Sequence, residues 1–142
     1  MVAIASDHGG FEYKQLVEEH LTAGGIEYKD FGTYSADPCD YPDFAKPLCE
    51  SILSGECRLG ILICGTGIGM SITANRYPGI RAAVCTEAFS AQATREHNDA
   101  NVLCMGARVI SPEKCIELTD IFLDTAFSGD ERHIRRIQKI EH

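Results

Sequence analysis

The chain has 142 residues, a formal net charge of −8 and an apolar content of 44%. That length suits one domain, residues 1–142, with a proper core. The acidic balance argues against a broad nucleic-acid surface. No run approaches the ~20 apolar residues of a membrane span. The start lacks a signal peptide's basic region and cleavage site. A cytoplasmic protein without membrane or nucleic-acid partners is expected. The 7 cysteines include no C-x-x-C pair and show neither zinc-ribbon nor disulfide spacing. They read as reduced thiols, most of them small core residues.

Val2–Ser6 reads as the first strand, closed by Asp7-His8-Gly9-Gly10. Tyr13, Leu16, Val17, His20 and Leu21 then recur at helical spacing, and Gly24-Gly25 stops the helix. Ile26–Phe31 reads as the second strand and Gly32–Asp40 as a loop of turn formers. Asp40-Tyr41-Pro42-Asp43 opens a helix whose inner face is Ala45, Leu48, Cys49, Ile52 and Leu53. Gly55 ends it. Leu59–Ile72 follows and reads LGILICGTGIGMSI. Its apolar run suits a strand buried on both faces of a parallel sheet. Cys64 stands at the end of that strand, Gly65–Gly69 form a loop, and helix is expected from Met70 to Ala74.

Arg81–Cys85 reads as the fourth strand, and Thr86 as N-cap of a helix over Glu87 to about His97. Asn101–Met105 reads as the fifth strand. Ser111-Pro112 has the N-cap and N1 residues of a further helix. A last helix spans about Asp130 to Ile140. Strands alternate with helices throughout. The expected fold is α/β: a Rossmann-like, five-stranded parallel sheet in a three-layer α/β/α sandwich. Ligands bind such sheets at the carboxyl ends of strands, where the strand order reverses. If strands one and three are neighbours there, Asp7-His8 meets Cys64–Gly69.

The glycine loop matches neither the G-x-G-x-x-G fingerprint nor a P-loop. It is either a tight turn or an anion cradle of backbone N–H groups. A cysteine at its mouth favours chemistry, because a thiolate beside N–H groups is a nucleophile or base. Asp7 and His8 read as a helix cap or as part of a ligand edge. His97-Asn98-Asp99 reads as a helix-ending turn, in which Asn tolerates the left-handed conformation. Arg132, Arg135, Arg136 and Lys139 place positive charge on one face of the last helix, with Ile134, Ile137 and Ile140 on the other. Such a stripe is either solvated or a phosphate grip. Arg108 is expected to join it.

Ser6–Gly10, Cys64–Ser71, His97–Leu103, Gly106–Arg108 and Arg132–Arg136, in this order, resemble the ribose-5-phosphate isomerase B family. That family includes galactose-6-phosphate and allose-6-phosphate isomerases. The resemblance covers essentially the whole chain. It implies an aldose–ketose isomerase needing neither metal nor other cofactor, with a small sugar phosphate as its partner. One branch of the family uses a cysteine base at the position of Cys64. The other carries a glutamate where this chain has Met70, so the sequence is similar to the cysteine branch.

By position, the resemblance makes Cys64 the proton-abstracting base. Thr66 and His97 assist ring opening, with His97 as proton donor. Asp7 and Asn98 hold sugar hydroxyls. Gly65, Thr66, Gly67, Ile68 and Gly69 supply backbone N–H groups. His8, Arg132 and Arg136 hold the phosphate with Arg108 nearby, and Tyr41 lines the sugar pocket. It also implies a homodimer or tetramer with sites at subunit interfaces, His97, Asn98 and Arg108 coming from the partner. The expected reaction interconverts ribose 5-phosphate and ribulose 5-phosphate in the pentose phosphate pathway. Alternatives are a six-carbon substrate (allose 6-phosphate or galactose 6-phosphate), a non-catalytic sugar-phosphate sensor, and a flavodoxin-like nucleotide module. The loop spacing argues against the last.

Overall fold

A computed structural model describes all residues, 1–142. Five parallel strands form one sheet: β1 (Val2–Ser6), β2 (Tyr28–Asp30), β3 (Leu59–Cys64), β4 (Ala82–Val84) and β5 (Val102–Gly106), in the spatial order β2-β1-β3-β5-β4. β1, β3 and β5 are buried along their whole length, as continuous apolar runs require in a sheet covered on both faces. The edge strands β2 and β4 are short and only partly buried. The second strand therefore omits Ile26, Glu27 and Phe31 of the expected span, and the fourth omits Arg81 and Cys85.

Right-handed crossovers that change direction across the sheet divide the helices between its two faces. One face carries α1 (Phe11–Ala23), α4 (Ala88–Asn98) and α5 (Pro112–Asp124). Its core joins Val17, Leu21, Ala91, Leu118 and Phe122 to Leu103 and Met105 of β5. The other face carries α2 (Pro42–Leu53) and α3 (Ile68–Ala74). There Leu48, Cys49, Met70 and Ala74 meet Val102 and Cys104 of the same strand. The period-two alternation along β5 thus feeds two cores at once. The three-layer α/β/α arrangement is the one the sequence predicts. No helix is long and apolar enough to cross a membrane.

Several boundaries differ for identifiable reasons. The N-cap of α4 is Glu87, not Thr86: the Glu87 carboxylate accepts the N–H groups of Phe89 and Ser90, at 3.0 and 2.9 Å. The left-handed residue ending α4 is Asp99, at φ 45°, not Asn98. α3 starts two residues earlier than expected, directly on the glycine loop. α6 (Glu131–Glu141) buries only His133, so Ile134 and Ile140 of its supposed inner face are exposed. All 7 cysteines are free.

Candidate active site

Chain direction reverses between β1 and β3: the connection after β1 runs to one edge of the sheet, and that after β3 to the other. The crevice at their carboxyl ends is therefore the expected ligand position. The strand ends are stitched together there. Asp7 N–H donates to Ile63 O at 3.3 Å, Ala107 N–H to Cys64 O at 2.9 Å and Arg108 N–H to Gly65 O at 2.9 Å. Side chains are missing where backbones crowd. A Cβ on Gly106 would lie 2.6 Å from the Thr66 backbone, and one on Gly10 would lie 2.3 Å from Ile63 O. Gly67 has φ 81°, a conformation that disfavours other residues.

Cys64 ends β3 and is 5% exposed. Its Sγ accepts the Gly67 N–H at 3.1 Å. Thr66 Oγ1 accepts the Ile68 N–H at 3.2 Å. The N–H groups of Gly65, Thr66 and Gly69 have no partner within the chain, and Thr66 is exposed. A half-exposed loop with unpaired donors beside a thiol can stabilise negative charge on a bound oxygen. Burial pushes the Cys49 thiol up to about 11 and the Cys115 thiol up to about 12.

Around this loop stand Asp7, His8, Tyr41 and Arg108. Asp7 accepts the Gly10 N–H at 3.1 Å, so it caps the short turn while lying at the crevice edge. His8 Nδ1 accepts the Cys39 N–H at 3.2 Å. That bond leaves the ring proton on Nε2, making His8 a donor at its far side. The Tyr41 ring covers the Gly69 Cα, where a Cβ would lie 2.6 Å away. The Arg108 side chain covers Gly65, its Cδ 3.5 Å from where a Cβ would stand. Within one chain Arg108 therefore stands with Cys64 and not with Arg132 and Arg136.

His97, Asn98, Arg132 and Arg136 lie elsewhere. α4 runs against the strands, so its last residues sit at the amino edge of the sheet. Arg81, just before β4, shows this directly by donating to Asn98 O and Asp99 O, both at 2.9 Å. Arg81 also grips Glu141 of α6 at 2.6 Å. His97 packs on His133, ring centroids 4.5 Å apart, and His133 stands between Arg132 and the rest of α6. The 5 residues of β5 separate the two groups, roughly 16 Å at about 3.3 Å per residue. One chain does not bring them together.

The amino edge also holds the largest cleft of the isolated chain, about 510 Å³, between Arg76, Tyr77, Arg81, Asn98, Ile140 and Glu141. Cys64 is not in it. Cleft size and chemistry thus point to opposite edges, and the chemistry is the better guide, because a crevice without its facing wall is shallow. Sequence reasoning passed over several residues here. Arg81 and Arg95 fix the end of α4, Arg95 through Ala100 O at 2.7 Å and Asp99 at 2.9 Å. Buried His133 backs His97 and shares a hydrogen bond with Ser128 Oγ at 3.0 Å. Burial and the neighbouring His97 and Arg132 hold His133 below the usual imidazole range. The signal for His133 was its place on the inner face of an otherwise exposed helix. No group of three or more His, Cys, Asp or Glu is placed to hold a metal ion.

A parallel α/β sheet with a thiol and unpaired backbone donors at its switch point defines a candidate enzyme of small anionic substrates. The Ribose/Galactose Isomerase family model matches residues 2–140, and the chain belongs to that family. It is 44% identical over 139 residues to the ribose-5-phosphate isomerase B of Escherichia coli (strain K12), covering 98% of this chain and 93% of the relative. Among solved structures it is similar to a ribose 5-phosphate isomerase of Thermotoga maritima, with TM-score 0.96 and 53% identity, covering 99% and 96% of the two chains. Ribose-5-phosphate isomerase B of Clostridium thermocellum also matches, with TM-score 0.96, 47% identity and 99% and 94% coverage.

Proposed function

We propose that the protein interconverts D-ribose 5-phosphate and D-ribulose 5-phosphate, exchanging pentose phosphates in the pentose phosphate pathway. The observation that carries this reading is the Cys64 thiol among the unpartnered N–H groups of its loop. Ring opening comes first, because the sugar is mostly cyclic. His97 gives a proton to the ring oxygen as the bond from C1 to that oxygen breaks, and the anomeric hydroxyl, held by Thr66, loses its proton to water to leave the C1 aldehyde. The Cys64 thiolate then removes the proton on C2. Negative charge moves onto O1 of the enediolate, where the loop N–H groups receive it. The Cys64 thiol then returns the proton to C1 while the O2 hydroxyl passes its proton to O1, which leaves the C2 ketone and the thiolate. Asp7, Asn98 and Tyr41 hold the sugar. His8 Nε2–H, Arg108, Arg132 and Arg136 hold the phosphate.

These roles require both residue groups on one substrate, so the site forms between two copies of the chain. A two-fold axis perpendicular to the strands turns each carboxyl edge toward the other copy's amino edge, completing both sites at once. Exposed apolar side chains around the β4 edge, among them Ile68, Ile72 and Phe89, support contact there. Dimers of such dimers fit equally.

Comparing five- and six-carbon aldose phosphates by kcat/KM tests the function. Ribose 5-phosphate is expected to exceed allose 6-phosphate and galactose 6-phosphate by about tenfold or more, the worth of one misplaced contact. A higher value for a six-carbon sugar contradicts the assignment. Tight binding without exchange of the C2 proton with solvent would mark a sensor instead.

A further inference from the structure

Among the largest side chains fully removed from solvent is a lysine, Lys14, 1% exposed. A buried cation is strongly disfavoured unless paired, and an apolar side chain of similar volume usually stabilises at least as well. Its best-attested use is to select one arrangement over others. The contacts of Lys14 say which arrangement. Its Nζ lies 2.7 Å from both carboxylate oxygens of Asp30 and also donates to Thr33 O. The Tyr34 ring lies 5.2 Å away. Asp30 in turn accepts the Gly32 N–H at 2.7 Å. One ammonium on α1 thus fixes residues 30–34, the start of the loop that leads to Tyr41.

That loop grips His8 from two directions. At its near end Gly32 O accepts the Ser6 N–H at 2.7 Å, and Thr33 N–H donates to Ser6 O at 2.6 Å. Ser6 is two residues before His8. At its far end the Cys39 N–H meets His8 Nδ1. A shift of residues 30–34 therefore moves both the strand that carries His8 and the donor that sets its tautomer. We propose that Lys14 is a positioning residue for the phosphate site: through the Asp30–Thr33 loop start it holds Cys39 against His8, keeping the ring proton on Nε2 and aimed at the ligand. Its consequence for catalysis rests on the reading of His8 as a phosphate donor given above.

The test uses the full-length protein labelled with 15N on its histidines. The His8 signals are identified by their loss in His8→Gln. Lys14→Met/Asp30→Asn removes both charges together and keeps the Asn carbonyl for Gly32 N–H. Asp30→Glu, which keeps the charge pair and changes its reach, is the milder variant. Circular dichroism and a thermal transition report folding for each. In the folded variants the two ring nitrogens of His8 are expected to converge toward a tautomer mixture without any ligand present. The inhibition constant of inorganic phosphate and the KM for ribose 5-phosphate are expected to rise about fivefold or more, with a smaller change in kcat, since charge-assisted contacts to the non-reacting end are weakened. Asp30→Glu is expected to shift both readouts in the same direction by less. A folded variant with parental His8 signals and parental phosphate inhibition overturns the proposal. So does a fall in kcat alone. Failure of the parent to isomerise any sugar phosphate would overturn the proposed function instead, while the His8 spectrum still decides the role of Lys14.

Discussion

The two edges of the sheet are built from different materials. At the carboxyl edge, Cys64 and its loop are placed by backbone, with glycines at close approaches and strand-to-strand hydrogen bonds running past the strand ends, and charge enters only behind His8, in the buried Lys14–Asp30 pair. No salt bridge lies among Asp7, His8, Cys64 and Arg108. At the amino edge, position comes from charge: Arg81 and Arg95 bracket the left-handed turn at Asp99, and Glu141 ties α6 to Arg81. The contrast suits the tasks proposed for the two edges. Proton abstraction needs near-contact geometry that a packed sheet supplies. A phosphate grip tolerates the exposed end of a helix, provided its arginines are held in place.

Removing a group from either edge should therefore fail differently. The largest effect is expected from Cys64→Ala: kcat falls about 10³-fold, within the usual range for a lost general base, while KM stays within a few fold. Steady-state kinetics checks this, and the other 6 cysteines tolerate the same change. His97→Asn is expected to lower kcat about 10²-fold on cyclic ribose 5-phosphate, but much less on the linear aldose erythrose 4-phosphate. Equal losses on both substrates would deny it the ring-opening role.

Arg136→Ala sharpens the contrast from the binding side. KM should rise about tenfold, with a smaller loss in kcat, because one charge-assisted hydrogen bond is worth about 1.5–3 kcal/mol and acts in ground and transition states alike. Competitive inhibition by inorganic phosphate should weaken in parallel. Arg135, one position round the helix, should matter less.

The smallest effect expected is on stability, beside the carboxyl edge. Burial and the neighbouring Asp30 push Glu18 up to about 7. The folded state therefore keeps a proton there that the unfolded chain has released. Stability from this group is present at low pH and is lost as pH rises through about 7. Glu18→Gln, which does not titrate, should gain stability relative to the parent as pH rises from 4.5 to about 7 and change little above that. Urea unfolding of both proteins across that range measures the difference.

Legibility in the sequence followed the same division. β1, β3 and β5 were plain because unbroken apolar runs have one good home, the middle of a covered parallel sheet. The edge strands were overextended because Ile26 and Arg81 look strand-like locally, and only the unpaired edge limits them. The carboxyl-edge group was readable because its parts are strand ends, and a switch point gathers strand ends. The separation of His97 from Cys64 within one chain was expected only through the family resemblance, and that of Arg132 was missed, although a local signal existed. His97 ends a helix that returns between parallel strands, so it must lie at the opposite edge from the end of β3. Charge type grouped Arg108 with the other arginines, and only its backbone bonding to Gly65 shows that within one chain it stands beside Cys64. Lys14 gave no cue: at helical spacing a lysine reads as solvent-facing, and its burial depends on Asp30 from β2.

The most direct test of a site shared between chains is complementation. Cys64→Ala and His97→Asn proteins, each nearly inactive alone, are mixed one to one and allowed to exchange subunits. Each mixed dimer then holds one site with both Cys64 and His97 intact and one with neither. With free exchange half the dimers are mixed, and activity should recover to about a quarter of the parental value by this two-fold counting. If activity stays at the level of the two separate variants after exchange is demonstrated, Cys64 and His97 do not serve one substrate from different chains.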